Sequence, residues 1–225
     1  MSEITKDDES LLSSSWNSLK KHKKTYLYLF LFLVFFSIFG LIIQLVFGLS
    51  SYFIENATNQ NEYILSSIGS LTSLPFSIFG SFVGVLIFAI PSLHIAKGEV
   101  ITPNMSVKIL FSKPWRYLLA GTFYSLLTVF GYLFFIVPGI LMSFITPIYV
   151  NRIFTTDLSI VSSLSNSFKS LFSSSRVVGF LFMSLVVQII SLLLVIFTLG
   201  FGYFLVFPLQ AFYLQEYLYK NKILK

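Results

Sequence analysis

Few residues in this chain have the type and spacing to do chemistry. His22 and His94 are the two histidines, and there is no cysteine. The lack of cysteine removes thiol nucleophiles, thiolate metal sites and disulfides together. Two histidines so far apart make no HExxH zinc helix. No GxxxxGK[ST] loop cradles a phosphate, no pair of intramembrane aspartates appears, and no Ser–His couple stands at a usable spacing. These residues predict a protein that is not an enzyme, with no catalytic residue, no cofactor and no metal.

The remaining polar groups of interest lie in or beside long apolar stretches. An ionisable side chain deep in a bilayer is costly, and marks function by default. His94, Arg152 and Glu216 instead fall near the ends of apolar segments, where snorkelling or headgroup contact accounts for them. Gln44 and Gln188 lie deeper, as possible polar intramembrane residues. An amide there either lines a polar path or bonds across helices, and the second reading is favoured. A proton- or sodium-coupled carrier usually shows a buried carboxylate, and none is visible. Passive conduction or flipping stays open.

The elements that position these residues follow from composition. Of 225 residues, 11% are charged and 56% hydrophobic, with 27 phenylalanines. Soluble domains carry about 25% charged residues. A soluble core of this length could not hide so many rings, so much of the surface must face acyl chains. A span needs about 20 apolar residues, and six such stretches are expected. The first runs from Thr25 to Leu49, too long for a signal peptide and without a small-residue cleavage site. The second lies within Ile68–Ile95, and the third covers Trp115–Ile136. Pro138 and Gly139 break it and open the fourth, which ends near Phe154. The fifth covers Arg176–Thr198, and the turn Gly200 to Gly202 opens the sixth, ending near Tyr219. Short connections make the last four spans two antiparallel hairpins.

Charge sets the orientation. The basic residues fall in the N-terminal segment (Lys20, Lys21, Lys23, Lys24), around Lys97–Arg116, around Arg152–Arg176, and in the tail (Lys220, Lys222, Lys225). The loop from Ser50 to Tyr63 has no base and carries Glu55 and Glu62. The positive-inside rule places both termini in the cytoplasm. It also explains the net charge of +6 without a nucleic-acid partner, and none is expected. Tyrosines and Trp115 near the span ends fit aromatic belts.

Three segments on the basic side are amphipathic. Leu12, Trp16 and Leu19 share a helical spacing. Thr102 is a good N-cap, with Pro103 at the first helical position, and Met105, Ile109 and Leu110 then share a face. Asp157 can cap a helix with Val161, Leu164, Phe168, Leu171 and Phe172 on one side and mainly serine on the other. These read as helices lying on the inner membrane surface or packing on the ends of the bundle. In the second span, Gly69, Ser73, Ser77 and Ser81 recur every four residues, and Gly80 with Gly84 forms GxxxG. Such stripes pack helices closely in lipid, within the bundle or across a homodimer seam. The sequon at Asn56 has meaning only in a eukaryote, whereas the Phe, Ile, Lys, Asn and Ser bias points to a bacterium.

The chain also reads as one unit three times over: amphipathic helix, span, span. Gly139 and Pro147 match Gly200 and Pro208 with the same shift of 61 residues. A chain reversal favours glycine and an internal proline bends a helix, so the last two hairpins are expected to superimpose.

The stretch GYLFFIVPGILMSFITPIY (Gly131–Tyr149), the serine-rich DLSIVSSLSNSFKSLF from Asp157, and the glycine-containing final hairpin resemble bacterial six-span proteins related to the membrane domain of glycerophosphoryl diester phosphodiesterases. The catalytic domain of those phosphodiesterases is a separate soluble barrel. Nothing here matches it, so the resemblance implies a membrane fold and carries no catalytic residue.

The expectation is an all-α bundle of six transmembrane helices with three cytoplasmic amphipathic helices. It comprises a cytoplasmic segment (1–24), a transmembrane domain (25–219) and a cytoplasmic tail (220–225) in the cell membrane. The expected partners are the lipid bilayer and other membrane proteins or a second copy. The expected function is a non-enzymatic scaffold or accessory role in lipid or envelope processes. The alternative is a transporter or permease for a small or lipidic solute, which would need a polar cavity at mid-membrane.

Overall fold

The computed structural model describes residues 2–58, 72, 85–134 and 136–224. Every regular element among them is helical. In chain order these are α1 (Ser2–Lys21), α2 (Lys23–Thr58), α3 (Val85–Lys97), α4 (Pro103–Ser112), α5 (Pro114–Phe134), α6 (Ile136–Thr155), α7 (Ile160–Phe172), α8 (Val177–Phe197) and α9 (Tyr203–Lys220). Among the described residues, four helical stretches are long and apolar enough to cross a membrane: Lys23–Ser50, Pro114–Phe134, Ile136–Thr155 and Val177–Phe197. The chain is membrane-embedded. The stripe Gly69, Ser73, Ser77, Gly80, Ser81 and Gly84 lies outside the described residues. α9 is not among the four, because Gln210, Gln215, Glu216 and Lys220 make much of it polar.

Two compact units divide the chain. One is Leu27–Val85; the other joins Met1–Tyr26 to Leu86–Lys225. In the larger unit α6 is central and packs on α5, α7, α8 and α9, while α1 lies along α9. Phe212 of α9, fully buried, anchors the core, with Ile87 and Ile90 of α3, Ile148 of α6 and Leu218 of α9 also buried.

α1 is amphipathic as expected, but its buried face is rotated from the sequence reading. Leu11, Ser15, Leu19 and His22 are buried, whereas Leu12 and Trp16 are exposed. The physical reason is a polar anchor: Ser15 and Ser18 donate hydrogen bonds to the two carboxylate oxygens of Glu216, at 3.0 and 3.2 Å. α4 follows its sequence signals, with the Thr102 hydroxyl accepting from the Met105 amide and Pro103 at the first helical position.

α7 departs from the reading at its cap. Ser159 caps it, accepting from the Ser162 amide. Asp157 instead pairs with Lys113, an exposed ion pair that adds little stability. Ser163, Ser167 and Leu171 are buried, whereas Val161 and Phe172 are exposed. Ser163 and Ser167 pack inward with Leu171 as α7 meets α6 and α5, Leu164 and Phe168 are half-buried, and Val161 and Phe172 point away from the protein.

The two matched hairpins are closed differently. Gly139 was expected at a chain reversal, but it lies inside α6. A Cβ there would meet the Tyr132 ring at 2.6 Å, and a Cβ on Gly131 would meet the Gly139 nitrogen at 2.9 Å. This pair of glycines therefore serves close helix approach. Gly200 does lie in the reversal between α8 and α9, with φ of +90° and open space around it. Its partner Gly202 donates its amide to the Thr198 hydroxyl at 2.7 Å. Pro138 falls in the first turn of α6, where a missing N–H is tolerated. Pro147 and Pro208 both sit inside helices, α6 and α9.

Candidate functional site

Three polar clusters gather where the basic residues lie. The first is built on His22, the junction between α1 and α2. Its Nδ1 lies 2.8 Å from the Ser18 carbonyl and its Nε2 accepts from the Ile101 amide at 3.1 Å. That pattern demands a proton on Nδ1 and none on Nε2, a neutral ring. Burial, the largest influence, lowers the His22 pKa below its ordinary 6.5, and His94 and Lys21 add to this. The His94 ring meets it edge-on at 4.6 Å. Thr25 donates to the Ile101 carbonyl at 2.6 Å and Tyr26 to the Ile87 carbonyl at 3.1 Å. Together these bonds tie the α1–α2 junction to α3 and the strap before α4.

The second cluster joins α6 to α9. Gln215, 1% exposed, donates to the Pro147 carbonyl at 2.5 Å. Its carbonyl oxygen accepts from Asn151 at 3.4 Å, and Asn151 also donates to the Tyr219 hydroxyl at 2.9 Å. Buried amides satisfied on both ends lock register between helices.

The third is a cavity of about 780 Å³ between the end of α6, the second half of α7, the turn into α8 and the C-terminal turn. Its charged lining is Arg152, Lys169, Arg176 and Lys222, and no carboxylate among the described residues lines it. The run Ser173–Ser175 adds hydroxyls. Arg152 donates through Nη2 to the Ser170 hydroxyl, while its Nε is buried with no hydrogen-bond partner. Arg176 donates to the Asn221 side-chain oxygen at 2.7 Å. The tail is shaped by a Schellman turn: the Ile223 amide bonds to the Leu218 carbonyl and the Lys222 amide to the Tyr219 carbonyl, both at 3.0 Å. Lys222 takes the left-handed position, φ +56°, where glycine is usual.

Of the residues singled out from sequence, Arg152 joins this cavity and Glu216 anchors α1. His94 packs on His22 and holds the Glu99 carbonyl at 2.8 Å. Gln188 is half-buried on α8, and Gln44 lies on α2 in the second unit. By charge pattern alone Lys169, Arg176 and Lys222 are inner-side charges, not a group. The signal available was the density of SFKSLFSSSR, two bases among serines, but Lys222 is brought in by tertiary folding alone. Among the described residues no three of His, Asp and Glu gather in a way that could hold a metal ion.

No protein-family description, curated protein or solved structure matches the chain.

Proposed function

We propose that the chain is a six-span protein of a bacterial cell membrane, with both termini in the cytoplasm. It performs no catalysis and works as a scaffold or accessory protein in lipid or envelope processes. One observation carries this reading. α7 buries Ser163 and Ser167 and leaves Val161 and Phe172, 65% and 56% exposed, pointing away from the protein. A helix bathed in water does the reverse. An apolar outward face beside a set of basic residues is the arrangement of a helix lying in the headgroup region of an anionic leaflet. The resemblance of Gly131–Tyr149 and of the serine-rich segment to six-span bacterial membrane proteins supports the same reading.

The carrier alternative calls for a polar cavity at mid-depth. The polar, basic cavity beside Arg152 is lined by the ends of α6 and α7, the turn into α8 and the C-terminal turn, beside the headgroup level that an accessory role uses.

The test uses tryptophan as a depth probe. The chain has two tryptophans; in a Trp16→Phe, Trp115→Phe background, Phe172→Trp reports the α7 surface alone. Reconstituted with lipids brominated high on the acyl chain, it should be strongly quenched and protected from iodide. Iodide quenching without bromine quenching would overturn the interfacial placement.

A further inference from the structure

We propose that the cavity bounded by Arg152, Lys169, Arg176 and Lys222 is a binding site for a phosphate group, carried by a lipid headgroup or free in solution. Four formal positive charges and, among the described residues, no carboxylate line about 780 Å³, a volume within the roughly 300–1,000 Å³ of small-molecule sites. Like charges converging on a shared space repel, and the repulsion is relieved when an anion enters.

Among the described residues, none supplies that anion. Arg152 bonds only a neutral serine hydroxyl through Nη2 and keeps a buried Nε without a partner. Arg176 bonds the neutral Asn221 amide oxygen. Two described carboxylates near these cations in the chain are occupied elsewhere: Asp157 with Lys113, and Glu216 with Ser15 and Ser18. Guanidinium groups offer a planar fork of donors matched to phosphate oxygens. The hydroxyls of Ser173–Ser175 supply donors for the remaining oxygens.

The fourth cation adds a second, independent argument. Lys222 holds a left-handed backbone conformation, φ +56°, which an L side chain adopts only at a cost. The Schellman turn would accept glycine there. Lysine there instead places a fourth positive charge on the cavity.

The site itself stands on the geometry of the larger unit. The lipid source alone rests on the membrane-surface reading above. Full-length protein in neutral detergent is titrated with inorganic phosphate, dihexanoyl phosphatidic acid and dihexanoyl phosphatidylcholine, and binding is read by calorimetry. Two double variants remove two charges each: Lys169→Gln with Arg176→Gln in the cavity, and Lys20→Gln with Lys21→Gln outside it. The expected result is saturable binding of phosphatidic acid, weakened at least tenfold in the cavity variant and unchanged in the α1 variant. Competition by phosphate at similar concentration would assign the site to free phosphate, and phosphatidic acid binding without such competition to a headgroup. Both outcomes support the site. Equal weakening in the two variants would reduce it to diffuse electrostatics and overturn it. So would the absence of saturable binding, or equal binding of the zwitterionic lipid. These readouts need no bilayer, so a failed bromine-quenching test would leave them intact and the two failures stay distinguishable.

Discussion

Gln215 of α9 donates to the main-chain carbonyl of Pro147 in α6, 2.5 Å away. The bond lies at the junction of the two proline-containing helices, and both Gln215 and its neighbour Asn151 are almost fully buried. A buried amide that satisfies a main-chain carbonyl and a second amide contributes about 1 kcal/mol per bond, and more when its removal orphans the partner. Gln215→Leu keeps the volume and removes both bonds. It should lower the unfolding free energy by about 2 kcal/mol, measured as the fall in midpoint of an SDS titration followed by circular dichroism. Gln215→Glu should be worse than leucine, because it replaces the donor with a buried carboxylate. A leucine variant as stable as the parent would show that the α6–α9 contact is held by packing alone.

How far the sequence reveals this molecule depends on which interactions are local. Thr102 and Pro103 announce α4 because cap chemistry is decided within a few residues. Hydropathy likewise marks the apolar helices, since a bilayer rewards the same composition everywhere along a span. The inward faces of α1 and α7 were not legible. Apolar periodicity assigns burial to Leu12 and Val161, whereas the protein buries Ser15 and Ser163. Close helix approach in lipid favours small side chains over large ones, and the Ser15–Glu216 bond joins residues 201 positions apart. His22 reads as one more member of a basic run, yet it is fully buried. The Ile101 amide, the Ser18 carbonyl and the rings of His94 and Phe212 hold it there.

That arrangement makes the α1–α2 junction sensitive to acid. Burial holds the His22 pKa below 6.5, so the undocked state binds the proton more readily than the docked one. Stability from this group is therefore full above about pH 6.5 and is lost as pH falls through the lowered value. Protonation of Nε2 would set two donors against each other, the ring N–H and the Ile101 amide. Trp16 fluorescence in a Trp115→Phe background reports α1 docking. Its urea midpoint should fall between pH 7 and pH 5, and His22→Gln should flatten that dependence. A parent midpoint independent of pH over this range would contradict the neutral, buried ring.

Lys222 offers a separation of fold from site. Glycine at this left-handed position relieves strain, so Lys222→Gly should raise stability by about 1 kcal/mol. The buried pair Ile223 and Leu218 keeps the turn closed in either variant. Thermal unfolding in detergent checks the sign. The same variant should bind dihexanoyl phosphatidic acid more weakly, so stability and affinity move in opposite directions. A variant that loses both would show the lysine to be structural.

The matched glycines give the sharpest contrast, because the same residue answers two different demands 61 positions apart. Gly139 packs against Gly131 and the ring of Tyr132, and a Cβ there would sit 2.8 Å from the Tyr132 nitrogen. Main chain cannot swing aside as a side chain can, so Gly139→Ala must push α5 and α6 apart. Overpacking of this kind costs about 1–3 kcal/mol. It should also break the 2.7 Å contact between the Tyr132 and Ser143 hydroxyls. Gly200 meets no neighbour within 4 Å, and its constraint is φ of +90° alone. Gly200→Ala should cost about 1 kcal/mol through the backbone, and Gly200→Asn less, because asparagine tolerates left-handed conformations. At Gly139 the order reverses, since asparagine is larger than alanine in a crowded space. Four variants measured by SDS titration decide the matter. If asparagine is better than alanine at both positions, the two glycines do the same job and the hairpins are equivalent after all. If it is better at 200 and worse at 139, the shared spacing of glycine and proline conceals two different ways of closing a helical hairpin.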